Sequence, residues 1–314
     1  MEFKEILMKL KAAILLISLC TRLALGSDFP QDEFSVKDPN RPRSIFWPQF
    51  TSILLPGFDQ YWERQYPYAL SYSGIAILGQ VIANANRYDK DEVKKEKKDD
   101  FDERDYGYAA IGNSMTFDVG LFSAYHSFRS AARTRPGDFS FIKANDSIKD
   151  VLLAPFQFSY LKRWTTYVPL GLLTTLLIAR AGNPQRHVLP FYERLASTGS
   201  LSYGAGVTEE AAFRGWLMPV LHYEFNSALL GNLSQGLLFG AAHISEKNRT
   251  PVIQTVSGIF DGWVSQRNGY SICEGVFGHF WWDVLVFGTI LVRNASTGEN
   301  KMPVWLPTIT VPLG

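Results

Sequence analysis

The 314-residue sequence predicts an all-α fold, a polytopic membrane helical bundle of about seven membrane helices, with its chemistry-bearing residues in the C-terminal half. Three observations predict it. Charged residues make up only 19% of the chain, below the roughly 25% of an ordinary soluble domain, while 46% are hydrophobic. The mean hydropathy of −0.05 would suit a soluble protein, but it averages polar clusters against long uncharged runs. Seven of those runs approach the ~17–25 mostly apolar residues that a membrane-crossing helix needs. The composition also excludes other classes. With 31 basic against 30 acidic residues there is no basic field for nucleic acid. The abundance of Phe, Tyr, Leu and Ile rules out disorder. Cys20 and Cys273 make neither a disulfide framework nor a cysteine-rich zinc site.

Taken in order, residues 1–26 read as a signal peptide. Lys4, Lys9 and Lys11 precede an apolar stretch from Ala12 to Cys20, and Ala24-Leu25-Gly26 offers a small-residue cleavage site. An uncleaved anchor is the rival, but Ala12 to Thr21 would make only ~15 Å of helix against a ~30 Å hydrocarbon core. Residues 27–160 form an N-terminal membrane-associated region. Within it Ser44 to Phe58 is uncharged, yet Pro48 and Pro56 forbid a straight helix, so an interfacial or re-entrant turn is expected. Tyr66 to Asn86 runs 21 residues without a charge, and Tyr106 to Phe128 is interrupted only by Asp118 and His126. Between them, residues 87–105 hold seven basic and nine acidic residues, a solvated loop or charged projection. Both this loop and the connector from Arg129 to Arg163 contain many Lys and Arg, so the positive-inside rule leaves the orientation open.

The remaining candidate spans are Trp164 to Ala179, Ser200 to Tyr223, Phe225 to Ile244, Pro251 to Tyr270 and Gly275 to Val292. A soluble bundle with buried helices is the plainer alternative, which seven such runs disfavour. Residues 296–314 are a C-terminal tail.

An ionisable group inside a membrane span costs about 2.5–3.5 kcal/mol on insertion scales, so each one demands a reason. Glu210 and Arg214, spaced i, i+4, can pair and neutralise one carboxylate. Glu209 points to another face and has no cation in its own segment, which makes it a candidate general base. The plainer reading is an acidic helix start, Thr208 capping and both glutamates favoured by the dipole. Further along, Phe239 and His243 share a face, on a helix that Gly236 and Gly240 thin for close approach by a neighbour. His279 and Asp283 share another, where the carboxylate can fix the imidazole tautomer. A packing histidine and a self-satisfied His–Asp pair are the corresponding structural readings.

Together and in order, Glu209-Glu210-x-x-x-Arg214, Phe239-x-x-x-His243 and His279-x-x-x-Asp283 resemble the three motifs of the CAAX protease and bacteriocin-processing (CPBP) family of intramembrane glutamate-type endopeptidases. The separations fit as well, 34 residues from Glu209 to His243 and 36 from His243 to His279. The resemblance covers roughly Trp164 to Val292, and it marks residues 161–295 as a CPBP-like intramembrane protease domain. It implies a water-accessible cavity inside a membrane bundle. By position, Glu209 with His243 would activate the hydrolytic water, His279 with Asp283 would stabilise the oxyanion, and Glu210 and Arg214 would be supporting partners. An ionised Asp283 cannot donate a hydrogen bond, so it is expected to orient His279 instead.

The implied activity is an endopeptidase cutting a membrane-associated protein or peptide, with the lipid bilayer as its other partner. The implied location is integral to the plasma or inner membrane in a bacterium, or to the endoplasmic reticulum in a eukaryote. No cofactor is expected; a zinc held by His243, His279 and Glu209 is the less favoured alternative. A non-catalytic membrane scaffold or bacteriocin-immunity-type protein of the same fold is the competing function. Outside the motifs, His187 and His222 are expected to be solvated and Cys273 to pack quietly.

Overall fold

The computed structural model describes residues 33–86, 103–179, 191–245 and 249–293. The signal-peptide reading, most of the charged loop, His187 and the C-terminal tail lie outside them. Among the described residues all regular structure is helical. The elements are α1 (Trp47–Leu54), α2 (Phe58–Trp62), α3 (Tyr66–Ala85), α4 (Glu103–Arg133), α5 (Ile148–Leu153), two 3-10 turns (Ala154–Phe156 and Phe158–Lys162), α6 (Trp164–Ala179), α7 (Phe191–Glu209), a π turn (Glu210–Leu217), α8 (Met218–Phe225), α9 (Ala228–Ala242), α10 (Val252–Arg267) and α11 (Cys273–Arg293).

Local sequence explains the breaks. Pro48 sits in the first turn of α1, and the Pro56-Gly57 pair turns the chain into α2 with Gly57 at φ +90°. Ser147 and Asp150 close a capping box on α5. Asn226, at φ +49°, ends α8, and Ser227 caps α9 through Leu230 N.

Helix α4 is the spine. It packs on α1 and α3 on one side and on α7 and the π turn on the other. One hydrophobic cluster accordingly joins Tyr72, Phe122 and Tyr125 to Val207, Ala211, Ile272 and Val276. Helices α9 and α10 pack closely, as the glycines of α9 suggest. A Cβ at Gly236 would stand 2.5 Å from Ile259 Cγ1, and one at Gly240 would overlap Thr255 Oγ1.

The expected apolar runs are helical, but no described helix is both long and apolar enough to cross a membrane alone. Helices α6 and α9 have 16 and 15 residues. The 31-residue α4 carries charges at both ends and Asp118 within, and the uncharged α3 is diluted by Tyr, Ser, Gln and Asn. The number of spans is therefore not set by the helices. Their outer faces are nonetheless apolar. Leu70 and Ile77 on α3, Leu172 and Leu176 on α6, and Leu229 and Leu237 on α9 are each 58–74% exposed.

Two local expectations are corrected. The glutamate pair does not begin a helix, because the run from Phe191 to Phe225 is unbroken, with Glu209 ending α7 and Glu210 opening the π turn. His222 is half-buried and partnered rather than free in solvent. Its Nδ1 lies 2.5 Å from the Tyr270 hydroxyl and its ring packs 3.8 Å from Phe141, centroid to centroid. Cys273 is buried, as expected.

Candidate active site

Three helical segments bring the motif residues together. In the π turn one hydrogen bond runs from Met218 N back to Phe213 O, five residues earlier, which opens the helix where the acidic pair and Arg214 stand. Glu210 and Arg214 are sealed, their side chains 1% and 0% exposed, with Arg214 Nη1 lying 3.1 Å from Glu210 Oε1. The guanidinium also stacks 4.2 Å from the Phe239 ring and lies 3.5 Å from Asp261 of α10. Asp261 belongs to none of the three motifs and was not singled out in the sequence.

Glu209 reaches the end of α9 and the other side of the His279 ring on α11. Its Oε2 lies 3.8 Å from His243 Nε2 and 3.9 Å from His279 Nε2, distances too long for direct hydrogen bonds. His243 is the residue that ends α9, and its Nδ1 lies 2.7 Å from the Phe239 carbonyl. That carbonyl can only accept, so in the neutral ring Nδ1 carries the proton and Nε2 is left as an acceptor toward Glu209.

His279 differs from the sequence expectation in its closest partner. Its Nδ1 bonds Glu210 Oε1 at 2.9 Å, whereas Asp283 Oδ2 stands 3.6 Å from Nε2. The carboxylate that fixes this ring is therefore Glu210, 69 residues away in sequence, and not Asp283 one turn along. Gly275 makes room for that contact, since a Cβ there would lie 2.8 Å from Glu210 Oε2.

Exposure divides the cluster. Glu209, His243, His279 and Asp283 have side chains 13–20% exposed, although Glu209 Oε2 itself is enclosed, while Glu210 and Arg214 are closed off entirely. Among the described residues no group of three or more His, Cys, Asp or Glu side chains is spaced to hold a metal ion. Nδ1 of each imidazole is held, by Phe239 O and by Glu210, and Nε2 of each faces Glu209.

Sequence reasoning also passed over Asp118. Its carboxylate on α4 accepts from Ser114 at 2.5 Å and from Thr208, the neighbour of Glu209, at 3.2 Å. The available signal was a lone carboxylate inside an otherwise apolar run.

Comparison with known protein families gives one match. The family model described as Rce1-like, type II CAAX prenyl endopeptidase Rce1-like, matches residues 193–285, under a third of the chain. That stretch contains Glu209, Glu210, Arg214, Phe239, His243, His279 and Asp283. The match agrees with the family that the motifs resemble, and it supports a CAAX-protease-like hydrolase at the level of the family. No curated protein and no solved structure matches the chain.

Proposed function

We propose that the protein is an integral membrane endopeptidase that hydrolyses a peptide bond of a membrane-associated protein or peptide with a water activated by Glu209 and His243. The observation that carries this reading is the placement of one carboxylate oxygen 3.8 and 3.9 Å from the Nε2 atoms of two imidazoles contributed by two other segments of the chain. Two acceptors, Glu209 Oε2 and His243 Nε2, stand at a separation that one water bridges by donating to both. As that water adds to the carbonyl carbon, Glu209 takes its proton and the carbonyl oxygen becomes an oxyanion. His279 is held by Glu210 through Nδ1, so its Nε2 is the atom turned toward that oxyanion. Collapse of the tetrahedral intermediate returns the proton to the leaving amine through Glu209 or His243.

The membrane assignment draws on the apolar outer faces of α3, α6 and α9, which would be unusual exposed to water. Members of the Rce1-like family are integral membrane proteins. The test compares neo-termini in membranes containing the wild-type protein with those containing Glu209→Gln, by quantitative proteomics. A terminus present with the wild type and missing with the variant identifies substrate and scissile bond together. Identical terminal inventories would sink the proposal.

A further inference from the structure

We propose that Asp118, contributed by α4 from outside the family-matched stretch, is a positioning residue that sets the direction of Glu209 through Thr208. The inference rests on the peptidase reading above and adds a residue that none of the three motifs contains.

The geometry is specific. Thr208 Oγ1 lies 3.2 Å from Asp118 Oδ1 and 2.8 Å from the carbonyl of Gly204, one turn back in α7, so its single proton is shared between its own helix and α4. The second Asp118 oxygen accepts from Ser114 at 2.5 Å, which fixes the carboxylate on its own helix. Gly204 completes the contact. A Cβ there would overlap Asp118 Oδ2, so only glycine lets α7 come this near.

The position of the tie matters more than its strength. Thr208 is followed at once by Glu209, the last α-helical residue before the hydrogen-bond pattern widens into the π turn. A helix is most free to rotate where its pattern changes, and here a half-buried carboxylate anchors the residue just before the change. A bond that merely glued two helices would serve equally well one turn away and would not need a carboxylate in an apolar run.

A displacement of a reacting group by about 1 Å can cost about 100-fold in rate, so the tie predicts a defect in turnover rather than in substrate binding. The experiment uses the full chain in detergent or vesicles, with the peptide identified by the proteomic comparison and Glu209→Gln as the dead control. Asp118→Ala, Thr208→Val and Gly204→Ala are each expected to lower kcat about 10–100-fold with KM changed less than about twofold. Asp118→Asn keeps an acceptor for Thr208, and Thr208→Ser keeps the hydroxyl; both are expected to restore most of the turnover. The Asp118→Ala, Thr208→Val double variant should be no slower than the worse single one, because both break one tie. Wild-type kcat in the Asp118 and Thr208 variants, or losses that simply follow a lowered Tm, would overturn the inference and leave the peptidase reading standing. A wild-type chain that cleaves nothing beyond the Glu209→Gln control would overturn both.

Discussion

Two histidines within the described bundle illustrate opposite uses of the same side chain. His126, on α4, is fully buried, with Nδ1 2.8 Å from the Tyr72 hydroxyl and Nε2 2.8 Å from the Glu33 carbonyl. Both nitrogens have partners, both partners are neutral, and the rings of Phe34 and Tyr68 pack edge-on against it. His279, on α11, has one nitrogen bound to a carboxylate and the other facing two more carboxylates at 3.6 and 3.9 Å, beyond bonding distance. A closed polar node holds a fold together. A node left open on one side holds a ring in place and keeps an atom for chemistry.

The largest effect expected from breaking this contrast is at the open node. His279→Ala should reduce kcat about 1000-fold, about 4 kcal/mol of barrier, beyond whatever Tm it loses by stranding the sealed Glu210 carboxylate. A variant that loses Tm but retains turnover would reverse the assignment. Next comes the closed node. His126→Leu strands the Tyr72 hydroxyl and the Glu33 carbonyl and should cost about 2–3 kcal/mol of stability, read as a drop in Tm, with turnover per folded molecule unchanged.

A third node sharpens the comparison because it is charged and closed. At the start of α11, Glu274 accepts from Arg163, Thr165 and Asn268. Burial pushes its carboxyl up, but those hydrogen bonds outweigh burial and hold it below its ordinary value of 4.5. The stability they supply is present above that value and is lost as pH falls through the lower folded one. Glu274→Gln should therefore cost about 1–2 kcal/mol at neutral pH, modest because Arg163 is half exposed, and should lose less Tm than the wild type on acidification below 4.5. Parallel Tm curves for the two proteins across that acid range would contradict it. The smallest effect belongs to Asp283. It stands 3.6 Å from an imidazole that Glu210 already fixes, so Asp283→Asn should slow turnover less than about fivefold. An inactive Asp283→Asn enzyme of normal stability would return the orienting role to Asp283.

What could be read from the sequence was local. Apolar runs predicted helices, the i, i+4 spacing predicted that Glu210 and Arg214 approach each other, and the glycines of α9 predicted a close neighbour. The turn at Pro56-Gly57 was visible because proline and glycine restrict the backbone directly. What could not be read depended on contacts between distant segments. The bond from Glu210 to His279 spans 69 residues and the contact of Asp118 with Thr208 spans 90, and no periodicity encodes either. His222 looked free because its partners, Phe141 and Tyr270, come from other segments of the chain. The π turn was hidden for a different reason, since its residues have no helix-breaking signature.

That turn has a consequence for how substitutions and deletions differ here. Each residue of an ordinary helix advances its azimuth by about 100°. The wide turn from Glu210 to Leu217 accommodates a longer hydrogen-bonded ring, so the helix before it and the helix after it are set to different phases, like two dials on one shaft. Removing a single alanine, Ala211 or Ala212, would let the turn relax to the ordinary pitch and rotate the guanidinium of Arg214 away from Phe239, although every motif residue would still be present. The chemistry of the cluster thus depends on a residue count as much as on residue identities.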